Sequence, residues 1–347
     1  MPPIAEPIAE FVATPIGEIT GLAPDALTDE VLRSTEPLVL RGVVAQWPMV
    51  RAARQSDSAA IDYLKRFDHG GMPVMATVAP PEEAGRVFYN EDLSGFNFRR
   101  EKIPLAVVLD TLRKYRDDPA PPSIYIASTT VDTFLPGFRD ENVVDFGARD
   151  PLASIWIGNR SRIPAHQDVP DNLACVVAGR RRVTLFPPSQ LENLYIGPLD
   201  HTPAGQAVSL VDFNAPDHAR FPKFAEALRH ARGAVLEPGD AVFIPSMWWH
   251  HMEGLEAFNV LVNYWWRQTP AWMDTPMNAL MLAILCVRDL PPAERAIWKD
   301  VFDHYVFDFD EAEVAGHIPE PARRVLSPID EDRARHLRSL LLKRLNR

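Results

Sequence analysis

The chain has 347 residues, enough for one large core or two modest domains, and its 46% apolar to 24% charged balance excludes wholesale disorder. A net charge of −11 opposes a phosphate backbone, so nucleic acid is not an expected partner. No apolar run approaches the roughly 18 to 20 residues of a membrane span, and the start has no basic stretch followed by an apolar one. No membrane association and a cytoplasmic address are therefore expected.

In chain order, PDALTDEVLRS (residues 24–34) predicts a short helix and PLVLRGVV a strand. Ser58 is placed to cap a helix running to Lys65. MPVMATVAP and RVFYN predict strands, while IPLAVVLDTLRKYRD carries Leu105, Val108, Leu109 and Leu112 at helical spacing. From residue 122 the texture changes to short strands between turns: PSIYIAS, SIWIGN, SRIPAH, LACVVAG, RRVTLFPP, AVSLVD, GAVLEPGDAVFIP and FNVLVNYWW. Such spacing suggests an antiparallel sandwich or barrel, with PGD (238–240) as a hairpin turn and KFAEALRHAR as a helical insertion.

After Trp266 the pattern turns helical, with Met277, Leu280, Met281, Ile284 and Leu285 on one stripe and PPAERAIWKDVFDHYVF following. The basic last fifteen residues predict an amphipathic terminal helix. Three parts result: an α/β segment over 1–121 bracing the barrel, a β-core over 122–267, and a helical extension over 268–347. The stripes of the extension exceed what a finished barrel needs, so a homodimer through these helices is expected. Cys175 and Cys286 lie far apart in apolar surroundings and are expected to be buried thiols.

His166 and Asp168 are two residues apart, so on a strand both point to one face and can meet one metal ion. A third ligand is available in WWHHMEG (248–254). Two imidazoles and a carboxylate with open positions form the facial set that suits non-haem Fe(II), although other divalent ions accept the same donors.

The phrases PAHQDxxxN, GRRRVTLFPPSQ, EPGDAVFIPSMWWHH and VNYWW, with PLVLRGVVAQWP upstream, resemble the cupin-like branch of the JmjC-type 2-oxoglutarate oxygenases. Within that branch they stand close to the asparaginyl hydroxylase that inhibits hypoxia-inducible factor. The resemblance covers 122–267 and implies a fold that is mainly β with flanking helices: a double-stranded β-helix, the jelly-roll or cupin core. It implies His166, Asp168 and His250 as ligands of Fe(II), with His251 on the other side of the strand.

It further implies 2-oxoglutarate as co-substrate, its distal carboxylate held by Arg181, where the resembling hydroxylase has a lysine. Strand parity groups Arg181 with Val183 and Leu185, while Arg180, Arg182, Thr184 and Phe186 form an equally good inward set. Tyr125 matches a tyrosine that touches the same carboxylate, and Asn172 and Asn263 match polar residues lining the cofactor region. Ile163 departs from the family's TPAH phrase, which puts the pose or affinity of 2-oxoglutarate in question and leaves the metal ligands untouched. The implied activity is hydroxylation of a protein, peptide or small-molecule substrate with release of succinate and CO2. Demethylation of a basic protein tail stays open, and the alternative is a non-catalytic metal-binding cupin that recognises a ligand or partner. Trp248, Trp249, Trp265 and Trp266 either stack on a planar substrate or fill the barrel end.

Overall fold

The computed structural model describes residues 14–70 and 72–346. They divide into two compact units, one ending at Arg267 and one beginning at Gln268.

The first unit holds fourteen strands among the described residues: β1 (Thr14–Pro15), β2 (Gly17–Thr20), β3 (Leu38–Arg41), β4 (Pro73–Ala79), β5 (Arg99–Pro104), β6 (Ser123–Thr130), β7 (Leu152–Gly158), β8 (Ser161–His166), β9 (Asp171–Ala178), β10 (Arg181–Phe186), β11 (Arg232–Leu236), β12 (Ala241–Ile244), β13 (Trp249–Gly254) and β14 (Asn259–Trp266). They form a five-stranded sheet in the order β1-β11-β10-β13-β8 and a nine-stranded sheet in the order β2-β3-β12-β9-β14-β7-β6-β4-β5. Strands β7 to β14 are the jelly roll: four in each sheet, every neighbour among them antiparallel. Residues before 122 supply β1 to β5 to these same two sheets.

Strand β9 shows why the sequence folds this way. All eight of its residues are buried. Leu173, Cys175 and Val177 point into the core under the helices, while Ala174 and Val176 point between the sheets. A strand covered on both faces has no reason to alternate, hence the unbroken apolar run in its sequence. On the helical side, Leu105–Tyr115 buries Leu105, Val108, Leu109 and Leu112, the stripe read from the sequence.

Several local expectations are corrected. The helix Asp57–Lys65 is capped by Ser56, whose Oγ accepts from the Ala59 N–H at 3.0 Å, not by Ser58. An additional helix, Pro48–Gln55, ends at that same serine. The PGD turn is not a hairpin, because β11 belongs to the five-stranded sheet and β12 to the nine-stranded one. Turn chemistry specifies a reversal but not which sheet receives the chain. Asp240 locks the crossover by accepting from the N–H of Glu237 and Gly42 and from the Arg41 guanidinium. RVFYN and AVSLVD make only single bridges, since Phe88, Tyr89 and Val208 pack into a small aromatic cluster of their own. Cys175 is buried, but Cys286 is exposed.

Gly179 connects β9 to β10 with φ +68°, and a Cβ there would lie 2.4 Å from Asn259 Oδ1 and 2.5 Å from the Phe258 carbonyl. Both the left-handed backbone and the contact with main chain oppose a side chain. Gly179→Ala is expected to destabilise the protein by on the order of 2 to 3 kcal/mol, read as a lower denaturation midpoint with unchanged slope.

The second unit carries the helices Pro276–Cys286, Pro292–Phe302 and Glu331–Leu345. The first two bury none of their residues. Leu285 and Phe307 are each 74% exposed. No described helix in either unit is long and apolar enough to cross a membrane.

Candidate metal centre and its cavity

His166 closes β8 and His250 lies on β13, and the two strands pair with these residues directly opposite, ring centroids 4.2 Å apart. Asp168 follows in the loop between β8 and β9, its carbonyl accepting from the Met247 N–H at 2.9 Å, so the segment leading into β13 is tied to it. One ligand atom from each of His166, Asp168 and His250 lies within 4.8 Å of the others. Asp168 Oδ2 stands 3.5 Å from His250 Nε2.

The outer ring nitrogens are already engaged. His166 Nδ1 lies 2.9 Å from the Pro164 carbonyl and His250 Nδ1 3.0 Å from the Trp248 carbonyl. A carbonyl only accepts, so Nδ1 carries the proton and Nε2 keeps its lone pair for the centre. Burial, helped by the neighbouring His250, pushes the His166 pKa down to about 4, which keeps the ring neutral. At Asp168 burial opposes the charge, but the neighbouring His250 and His166 side chains and the Trp265 indole N–H outweigh it and hold the carboxyl below its usual range. Two imidazoles and one carboxylate with their ligand atoms this close together fit a divalent ion that keeps open positions.

His251 takes no part. It points away from the centre, buried, its ring 4.7 Å from that of Phe213. Burial pushes its pKa down to about 4 as well.

The three donors line one end of a cavity of about 740 Å³, and Tyr125, Asn172, Arg181 and Asn263 line it too. Arg181 shares its inward face with Val183 and Leu185, which fixes the parity that sequence alone left open. Its guanidinium belongs to a residue only 3% exposed and has no carboxylate or hydrogen-bond partner among the described residues. Burial pushes its pKa down, with the Tyr125 phenol opposing that shift. Tyr125 itself is buried, and desolvation raises its phenol above the ordinary range.

The two asparagines form a directed chain. The Trp156 indole, a donor only, gives its hydrogen to Asn263 Oδ1 at 2.7 Å, and Asn263 Nδ2 donates to Asn172 Oδ1 at 3.2 Å. The end of the relay is Asn172 Nδ2, a donor on the cavity wall. Ile163, opposite Met252 on the adjoining strand, contributes apolar surface to the same wall. The four tryptophans separate: Trp265 lines the cavity, whereas Trp248, Trp249 and Trp266 are buried in the packing.

Sequence reading missed the outer wall of the cavity, built from Thr77, Phe96, Arg100 and His201. These come from three separate segments with no shared spacing, so no local signal marks them.

A family model described as "Cupin-like domain" matches residues 24–271. Lysine-specific demethylase 8 of Xenopus tropicalis is 25% identical over 246 residues, 69% of this chain and 49% of that protein. tRNA wybutosine-synthesizing protein 5 of Danio rerio is 38% identical over 106 residues, covering 30% of this chain and 29% of the relative. HSPB1-associated protein 1 of Homo sapiens is 35% identical over 135 residues, 37% of this chain and 27% of the relative. The matched region spans about half or less of the length of these curated relatives. The family match reaches from before β3 to just past β14 and so takes in the whole jelly roll and all three metal donors: the chain belongs to the family of cupin-like domain proteins.

Proposed function

We propose that the chain is an Fe(II)- and 2-oxoglutarate-dependent oxygenase that hydroxylates a protein, peptide or small-molecule substrate and releases succinate and CO2. The observation that carries this reading is Arg181: a buried guanidinium with no partner among the described residues, in the same cavity as a two-histidine, one-carboxylate centre. An uncompensated cation there asks for an anionic ligand, and a carboxylate matches its planar fork.

His166, Asp168 and His250 would hold the iron, which supplies the oxygen chemistry when bound. Arg181, with Tyr125 beside it, would clamp the distal carboxylate of 2-oxoglutarate, and Asn172 Nδ2 would donate to an oxygen of the cofactor region. The apolar wall of Ile163, Met252 and Leu261 keeps water from the centre. The resemblance read from the sequence suggests hydroxylation, and the relative named a lysine-specific demethylase keeps demethylation of a basic protein tail as an alternative. The acidic balance of the chain supports a peptide or small molecule over nucleic acid. Ile163, in place of a hydroxyl residue, favours the second reading, a non-catalytic cupin that binds metal and a ligand.

Succinate formation separates the two: purified protein with Fe(II), ascorbate and 2-oxoglutarate is expected to release succinate in air and none under argon. Stoichiometric metal binding with no succinate, with or without candidate substrates, sinks the oxygenase reading.

We further propose that the second unit pairs with that of a second copy. Two eleven-residue helices without a buried residue cannot close a core by themselves. Sedimentation velocity at micromolar concentration is expected to show a dimer, and Leu285→Asp combined with Trp298→Glu to shift it to monomer; a monomeric wild type removes the idea.

A further inference from the structure

The cavity that the metal donors and Arg181 line also carries polar groups that the proposed cofactors do not use. Arg100 on β5 stands opposite Thr77 on β4, and Thr77 stands opposite Tyr125 on β6. Directly opposed residues share a sheet face, so Arg100, Thr77 and Tyr125 form one polar row across three strands.

Arg100 is anchored rather than neutralised. Its Nη2 donates to the Pro203 carbonyl at 2.7 Å, and its guanidinium lies 5.9 Å from the Phe96 ring centroid and 5.5 Å from that of Phe98. It pairs with no carboxylate among the described residues, whereas neighbouring Arg99 is paired with Glu101, and Asp200 on the same wall makes no ion pair with it. Beside this cation runs a three-ring stack, in which Phe96 packs on Phe98 at 5.1 Å and 9° as well as on His201. His201 stacks on Phe96 at 4.7 Å and 20°, and its segment is held by the Tyr89 hydroxyl, which donates to the His201 carbonyl. Two hydrogen-bonding groups stay unused beside it: His201 Nε2, which is buried, and the Thr77 hydroxyl, on a residue 5% exposed.

We propose that this cavity receives the substrate as an aromatic acid, its ring at the His201 end of the Phe98–Phe96–His201 stack and its carboxylate on Arg100. The inference rests on the oxygenase reading, in which the inner end is filled by metal and 2-oxoglutarate. The net charge of −11 governs the long-range field, but within a Debye length the Arg100 guanidinium, anchored on the Pro203 carbonyl, offers an incoming anion a cation, with Asp200 on the same wall as the opposing charge. Thr77 then offers a hydrogen bond to a polar group between ring and carboxylate.

The test uses the full chain with Zn(II) as a redox-inert ion, titrated first with 2-oxoglutarate and then with N-acetyl-L-tryptophan or its neutral amide, followed by calorimetry. The acid is expected to bind about tenfold or more tighter than the amide, the difference a charge-assisted hydrogen bond makes. Arg100→Ala is expected to abolish that preference, Arg100→Lys to restore part of it, and His201→Ala to weaken both probes about fivefold. The preference is also expected to survive in Arg181→Met, which separates the chamber from the inner site. Equal binding of the two probes, no saturable binding of the acid at millimolar concentration, or a preference lost with Arg181 rather than Arg100 overturns the proposal. Failure of the first titration alone overturns the oxygenase reading and leaves an acid-binding chamber standing.

Discussion

Replacing Arg181 with methionine is expected to weaken 2-oxoglutarate binding by on the order of a hundredfold or more while raising the melting temperature of the unliganded protein. Both effects have one cause. The guanidinium belongs to a residue 3% exposed with no partner among the described residues, and its depressed pKa reflects the desolvation it suffers. Methionine fills similar space without that penalty, so unliganded stability should rise by about 1 to 3 kcal/mol, or roughly 2 to 4 °C per kcal/mol for a protein of this size. With 2-oxoglutarate present the same change leaves a carboxylate buried and unpaired, a loss of about 3 to 5 kcal/mol. Arg181→Lys should fall between, keeping a charge but losing the planar fork. Opposite signs in two readouts cannot come from simple misfolding. A variant with a lower melting temperature and unchanged 2-oxoglutarate affinity would mean that this arginine serves the fold and not a ligand.

The second large effect concerns the metal donors. Metal at about a hundred times its dissociation constant should stabilise the wild type by about 2.7 kcal/mol, because the unfolded chain does not assemble the three donors. His166→Ala, Asp168→Ala and His250→Ala should each abolish that gain. His251→Ala is the discriminating control. Its ring packs on Phe213 and faces away from the centre, so the variant should lose about 2 kcal/mol of stability through the space left behind and still gain stability from metal. Metal-dependent stabilisation lost in His251→Ala and retained in His250→Ala would reverse the assignment.

The jelly roll was legible because its strands are written in compact apolar runs between turn residues, and β9 is the plainest case. Edge strand β5 was not, since RREKIP faces solvent for most of its length and shows no apolar alternation. The choice between His250 and His251 depended on resemblance, and the structure supplies the physical reason: His250 lies opposite His166, and the pairing slips immediately after it, between His250 and Met252. Arg181 shows the limit of parity. GRRR offers two alternating sets, and only the register Arg181↔Leu236 and Arg181↔Gly254, set by the left-handed turn at Gly179, decides which one faces inward. The PGD turn misled for a related reason, because a local reversal carries no information about the sheet on the far side. The outer chamber was invisible, since Thr77, Arg100 and His201 meet only after β4, β5 and the 200–206 segment have converged.

The most direct single measurement is an anaerobic titration of the metal-free protein with Fe(II) and then 2-oxoglutarate, following visible absorption, with Asp168→Ala in parallel. A band that requires both components and is missing from the variant is the expected result, and it would establish 2-oxoglutarate bound at iron on His166, Asp168 and His250. Stoichiometric iron binding with no band on adding 2-oxoglutarate would contradict the oxygenase reading and leave a metal-binding cupin.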